Sequence, residues 1–357
     1  MKKIIKLMAL MLVVLMAFTA CSGSDSSSSS SSSASAASQD EAVTLKLGMI
    51  AQIYGTQSFN DDIRDGIEAV GEKYGFENIC LEVPDIADAG NSLRTLIAQG
   101  VNFIVIGSAE YADAMVEVAL EYPDVKFLYL NEADGMPANV MTTVYAEQEG
   151  AFLIGSLAAL LSQTGNVGSV AAVSGDIVQE RFTWGFRAGA EYINPDITVQ
   201  SAYTNSYTDI NKGQEVANAM YSRGADIVSC FAGACNVGVF NAAASAGEGR
   251  YCFGAAKGQF DQMPDKIIAS LVKPVDQTIL AIVTDYVENG NFDTSSPTSL
   301  GLSNDGVIVR YTNMNEDLLA MITPEIQSQL DEISAAIISG ELVPPQTEAD
   351  YNAFNAQ

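Results

Sequence analysis

The chain has 357 residues, with 44 acidic against 17 basic side chains, no histidine and a formal net charge of −27. That excess of carboxylates argues against nucleic acid or an anionic membrane surface as a partner. The lack of histidine excludes Ser-His-Asp and Cys-His catalysis and removes the commonest metal ligand.

Lys2, Lys3 and Lys6 precede an uncharged apolar stretch from Leu7 to Phe18. The stretch is shorter than the about 20 residues a spanning helix needs, so residues 1–20 are predicted to be a signal peptide. It ends Ala17-Phe18-Thr19-Ala20-Cys21, which resembles the lipobox of bacterial lipoproteins, with Phe18 where that motif more often has leucine. Lipidation of Cys21 is the expectation, and ordinary cleavage beside an incidental cysteine is the alternative. Ser22–Ser38 is almost all serine and cannot bury a core, so residues 21–42 read as a lipidated cysteine and a flexible linker. The two acyl chains of such a cysteine suffice for stable anchoring. Without the three signal lysines, 14 basic against 44 acidic residues leave the mature chain at −30.

From Thr44 onward strands and helices are predicted to alternate. Apolar runs of strand length cover 45–50, 102–106, 126–130, 167–173, 197–203, 225–231 and 251–255. Between them, Phe59, Ile63, Ile67, Val70 and Tyr74 share one helical face. Ala151–Leu161 is apolar nearly all round and reads as a buried helix. Residues 211–223 and 236–246 are further helix candidates. Near-continuous apolar strands separated by helices imply parallel sheets covered on both faces. The number of units suits two doubly wound α/β lobes better than one sheet.

The chain is expected to cross between the lobes three times. Val140–Glu147 leads into the second lobe, Ile267–Lys273 returns before a helix over 274–287, and Gly306–Tyr311 crosses back. Lobe 1 is thus expected to take 43–145 plus 274–304, and lobe 2 to take 146–273 plus 305–345. Three connecting strands make a hinge, predicted near Tyr145, Lys273 and Asp305, with a cleft that closes on a ligand. In doubly wound sheets the ligand sits beyond the carboxyl ends of the strands. The loops after Ile50, Ile106, Leu130, Val173, Tyr203, Phe231 and Gly254 should therefore line the cleft. Cys80, Cys230, Cys235 and Cys252 form no C-x-x-C pair and have apolar neighbours, which argues for core residues over zinc or redox chemistry. A disulfide among them stays open.

Those loops carry specific residues. Ser58-Phe59-Asn60 follows the first strand. Gly185-Phe186-Arg187-Ala188-Gly189 precedes Asn194-Pro195-Asp196. Ala232-Gly233-Ala234-Cys235-Asn236-Val237-Gly238 opens a helix, and Ser270-Leu271-Val272-Lys273 ends the returning strand. In this order, over residues 45–315, the series resembles the basic membrane protein (PnrA-like) family of substrate-binding lipoproteins. The resemblance implies a type I periplasmic-binding fold and a purine nucleoside ligand. It also implies ABC permease and ATPase subunits as partners, no cofactor, and a lipid-anchored place on the outer face of the cell membrane.

Carried onto this sequence, the resemblance puts Phe59 as the ring that stacks on the purine and Asn60 as a base contact. Phe231 falls near the opposing aromatic, Gly238 where backbone approaches the ligand, Tyr207 as a further wall and Lys273 as a site lysine. The family's acids are replaced. The first loop reads Ile50-Ala51-Gln52, the fourth strand ends at Asn131, and the ribose-binding stretch reads Gly254-Ala255-Ala256-Lys257-Gly258-Gln259. Losing a charged acceptor for a buried hydroxyl costs about 1.5–3 kcal/mol, roughly tenfold to a hundredfold in affinity. A free base or another flat heterocycle therefore suits the remaining residues better than a nucleoside. Lys257 offers itself to an anionic ligand.

Each assignment has a plainer counterpart. Phe59 and Phe231 also fit as core residues, Asn60 as a helix cap, Trp184 as a packing residue and Glu180–Arg181 as a surface pair. The glycines at Gly233 lack the Gly-Lys-Ser/Thr ending of a phosphate loop. Other functions compatible with the sequence are a surface receptor or adhesin using the same cleft, an importer component for a sugar, and an exported enzyme. The last is disfavoured by the absence of a nucleophile elbow and of a clustered acid pair.

Overall fold

The computed structural model describes residues 43–355; the signal stretch, Cys21 and the serine tract lie outside the described residues. In chain order the first half reads β1 (Lys46–Ala51), α1 (Phe59–Tyr74), β2 (Glu77–Glu82), α2 (Ala89–Ala98), β3 (Phe103–Ile106), α3 (Ala112–Glu121), β4 (Lys126–Tyr129) and β5 (Val140–Tyr145). Then follow α4 (Glu147–Leu161), β6 (Asn166–Ala171), α5 (Ile177–Ile193), β7 (Thr198–Tyr203), α6 (Ile210–Ser222), β8 (Ile227–Cys230), α7 (Asn236–Ser245), β9 (Tyr251–Ala255) and β10 (Ile267–Val272). The chain ends with α8 (Val275–Asn289), β11 (Thr298–Leu300), β12 (Ile308–Tyr311), α9 (Glu316–Ala320), α10 (Pro324–Ser339) and α11 (Glu348–Phe354).

The strands form two six-stranded sheets, ordered β11-β5-β4-β3-β1-β2 and β12-β10-β9-β8-β6-β7. Every pairing is parallel except β10 with β12. Each sheet is covered on both faces, which is why every residue of β3, β8 and β10 is buried and their sequences are mainly apolar rather than alternating. One face of the first sheet packs Ile63, Ile67 and Ile279 against Met49 and Val105, and the other packs Leu93, Leu96 and Met115 against Ile104 and Phe127. The second sheet is likewise sandwiched, with α4 and α5 on one side and α6 and α7 on the other.

Two strands escaped the sequence reading. β2 is an edge strand whose residues are all at least partly exposed, so it has no continuous apolar run. β11 has only three residues. The fold is the expected two-lobe α/β periplasmic-binding architecture. The polypeptide passes from one sheet to the other between β5 and α4, between β10 and α8, and between β11 and β12.

Candidate functional site between the lobes

Within each sheet the consecutive strands run in the order 2-1-3-4-5: β2-β1-β3-β4-β5 and β7-β6-β8-β9-β10. The direction of winding reverses between β1 and β3 and again between β6 and β8, where doubly wound sheets leave a crevice. The loops at both reversals line a single cavity of about 130 Å³ between the lobes.

On the first lobe the loop after β1 is fixed by Asp61. Its buried carboxylate accepts the backbone N–H groups of Gly55 at 2.8 Å, Thr56 at 3.0 Å and Ser58 at 3.3 Å. Ser58 is the N-cap of α1, so Asn60 is not the cap. The Asn60 amide donates to the Ile53 carbonyl at 3.3 Å. Phe59 opens the helix beside Gly107, where any side chain would run into the rings and methyls of Phe59 and Ile63. Asn131 donates to the Gly107 carbonyl at 2.7 Å. Gln52 reaches the cavity from the end of β1.

On the second lobe Asp176 caps α5, accepting from the Val178 and Gln179 N–H groups at 2.9 and 3.2 Å. Its other oxygen accepts the Tyr207 hydroxyl at 3.2 Å. Burial first, then the nearby Asp176 charge, hold the Tyr207 phenol well above its usual range. Gln179 is buried and its oxygen accepts the Ala172 N–H at 2.7 Å. Asn236 accepts the Ala232 N–H at 2.9 Å. Phe182 and Phe231 stack in parallel with centroids 4.6 Å apart. Between the lobes sits Lys273, whose ammonium lies 4.4 Å from the Phe59 ring centre, 4.7 Å from Tyr145 and 5.7 Å from Phe182. It pairs with the buried Glu147 at 3.0 Å.

Seven expected residues therefore meet at one cavity: Gln52, Phe59, Asn60, Asn131, Tyr207, Phe231 and Lys273. Two do not. Gly238 lies in α7, where a methyl would strike the Ile210 carbonyl of α6, so it serves close helix packing. Lys257 is engaged by Asp62 and Asp65 of α1 and faces an outer groove beside Gln57 and Arg310. Phe231 is stacked on Phe182 and, edge-on, Phe186, so one of its faces is already taken by protein.

The sequence reading missed Phe182, Asp176, Gln179 and Asn236. Asp176 and Gln179 stand three apart at a helix start, a pattern that reads as capping alone. Asn236 was inside a recognised motif, and Phe182 shares a helix face with the core residue Phe186. Arg181 is no surface residue. It is 5% exposed and held by Glu132 at 2.5 Å, Glu147 at 3.5 Å and Gln346 at 3.1 Å. Trp184 packs on Tyr351 at 5.0 Å and donates to Glu180 at 2.6 Å, outside the cavity. The four cysteines are free thiols, three of them buried. Among the described residues no carboxylate or thiol cluster could hold a metal, and no helix is long and apolar enough to cross a membrane.

Residues 48–348 match the family model of the PnrA-like ABC transporter substrate-binding proteins. The chain belongs to this family. Basic membrane protein A1 of Borrelia garinii subsp. bavariensis is 30% identical over 304 residues, covering 84% of this chain and 88% of the relative. Basic membrane protein A of Borreliella burgdorferi is 30% identical over 313 residues, covering 84% and 87%. An ABC transporter solute-binding protein of Aeropyrum pernix K1 superposes with a TM-score of 0.77 at 24% identity over 87% of this chain and 98% of that one. One from Conexibacter woesei superposes at 0.67, with 22% identity over 85% and 99%. The PnrA-like family is one of ABC transporter substrate-binding proteins.

Proposed function

We propose that this PnrA-like protein is a lipid-anchored, extracytoplasmic binding component of an ABC importer, not an enzyme, and that it takes a purine base or a related planar heterocycle into the interlobe cavity. The observation that carries this reading is that Phe59 of one lobe and the stacked Phe182 and Phe231 of the other line one cavity, together with the amide-bearing Gln52, Asn60, Asn131, Gln179 and Asn236. Aromatic walls favour a flat ring, and stacking is worth about 1–3 kcal/mol per base. Side-chain amides donate and accept in one plane, as the edge of a heterocycle requires.

Charge disfavours an anionic ligand. Lys273 is neutralised by Glu147, and Lys257 lies outside the cavity in contact with Asp65. Asp176 faces the cavity with hydroxyl and backbone donors only. Where the resemblance expects the ribose-binding aspartate stands Ala256, whose methyl accepts nothing. A base should thus bind at least as tightly as its nucleoside.

Calorimetry with adenine and adenosine tests this. Comparable affinities, both weakened roughly tenfold or more by Phe59→Ala, are expected, with Ala256→Asp moving the preference toward adenosine. Much tighter binding of adenosine to the natural chain would overturn the preference for a base. No binding of either would overturn the purine reading and redirect the search to other flat solutes or sugars.

A further inference from the structure

The loop between β9 and β10 touches the opposite lobe by three separate means. Lys257 reaches α1, lying 3.8 Å from Asp62 and in direct ion-pair contact with Asp65. The amides of Gln259 and Gln262 converge on one acceptor, the Thr56 carbonyl, at 3.4 and 2.7 Å. Gln57 returns the contact by donating to Asp261 at 2.8 Å. Thr56 and Gln57 belong to the loop that Asp61 fixes, so the strap grips a rigid part of the first lobe.

On its own side the loop is tied to the cavity wall. The Gln259 oxygen accepts the Ala255 N–H at 3.2 Å and the Asn236 amide at 3.3 Å. Ser270 donates to the Gly258 carbonyl. Ala256 and Gln259 both have positive φ, 53° and 59°, a conformation that residues with side chains keep only where contacts hold it.

We propose that the loop Ala255–Gln262 is an interlobe strap, in which Lys257 and Gln259 are positioning residues that hold the cleft shut and set how readily it admits and releases its ligand. Neither residue needs to touch the ligand. Gln259 joins Asn236, on the cavity wall, to the backbone of the opposite lobe, so that a shift at one is felt at the other. Lys257 supplies the ionic part. Burial raises the Asp62 carboxyl to about 8, with Lys257 pulling it down, so the ionic contact is assigned to Asp65, which Lys257 touches directly. Lys257 and Asp65 are partly exposed, and salt should loosen the strap by screening them.

The strap is independent of ligand identity, so the unliganded protein tests it. Nitroxide labels at Glu110→Cys and Ile177→Cys, exposed residues on opposite lobes beside cavity-lining positions, report the opening by electron-paramagnetic distance measurement. The carrier is the full chain with Cys21 and Cys80 changed to serine. A predominantly short distance is expected, with an open population of about a tenth or less. That population should rise several-fold with Lys257→Gln, with Gln259→Ala, or with 0.5 M NaCl on the unmodified strap. Swapping the ion pair, Lys257→Glu with Asp65→Lys, should restore the short distance, which a merely structural role for Lys257 would not predict. Distances unchanged by Lys257→Gln and by salt, in a variant that melts like its parent, would overturn the proposal. A swap that fails to restore closure although each single variant opens the cleft would overturn the ionic role of Lys257. Failure of purines to bind would touch only the ligand reading.

Discussion

Lys273 shows how one side chain carries both packing and charge. Its ammonium is surrounded by Phe59, Tyr145 and Phe182 and compensated by Glu147, whose side chain is 2% exposed. Removing one partner of a buried pair costs up to about 3–5 kcal/mol when the other charge stays uncompensated, and here Arg181, 3.5 Å from Glu147, keeps part of the compensation. Lys273→Met is therefore expected to lower the melting temperature. Adding Glu147→Gln should recover much of the loss, a coupling that a double-mutant cycle reads directly. The sequence marked Lys273 as a site residue but Glu147 only as the end of a crossing strand, because nothing local says that it opens α4 and is buried there.

Asp62 makes a second residue-scale prediction. Its folded-state carboxyl is lifted by burial to about 8, whereas an unfolded aspartate titrates near about 4. Between those values the unfolded chain has lost a proton that the folded chain keeps, so this group's contribution to stability falls as pH rises from about 4 to about 8 and is level below that window. Asp62→Asn should melt higher than the parent at pH 8, with the gap closing toward pH 4. An equal gap at both ends of the titration would refute the buried-acid account.

Among the elements, the crossing of α4 and α5 explains a motif that the sequence displayed without revealing its purpose. At Gly189 an added methyl would strike the Phe152 carbonyl, at Gly185 the Gln148 carbonyl, and at Gly155 the Phe186 carbonyl. Those glycines let the two helix backbones touch. Overpacking of this kind costs typically about 1–3 kcal/mol and occasionally more, so Gly189→Ala should lower the melting temperature by several degrees. It should also weaken ligand binding, because the first turn of α5 presents Asp176, Gln179 and Phe182 to the cavity. Ala151→Gly, on the same interface but adding no atoms, should leave the helices in register. The alternation of strands and helices was legible because buried parallel strands are apolar runs. β2 and β11 were not, because β2 leaves every residue at least partly exposed and β11 is only three residues long. Gly238 was misplaced for a related reason: a glycine that lets helices approach looks in sequence like one that lets a ligand approach.

At the scale of the molecule, three crossings and the strap set the geometry on which solute capture depends. Tethering adds a further constraint. If Cys21 carries the lipid, Cys21→Ser should release the protein into the soluble fraction or leave it unprocessed, as read by membrane fractionation and mass. Unchanged processing and membrane association would remove the anchor. The cleft was legible from the alternation of strands and helices, since doubly wound sheets place their ligand beyond the carboxyl ends of the strands. The strap was not, because Lys257 and Asp65 lie 192 positions apart and only the closed arrangement of lobes brings them together.

The interleaving of the two sheets also dictates when each can be completed. The first sheet takes its edge strand from 298–300 and the packing of α1 from α8, although its other strands are finished by Tyr145. The second takes an edge strand from 308–311, and α11 then lies along α5, with Tyr351 on Trp184 and Phe354 on Phe152. Neither half is a contiguous stretch of polypeptide, and each waits for residues synthesised after most of the other. Contacts that distant in sequence slow folding, since long loops must be closed before any reward arrives. A chain arranged in this way reaches its native state late, only once its last fifty or so residues have joined it.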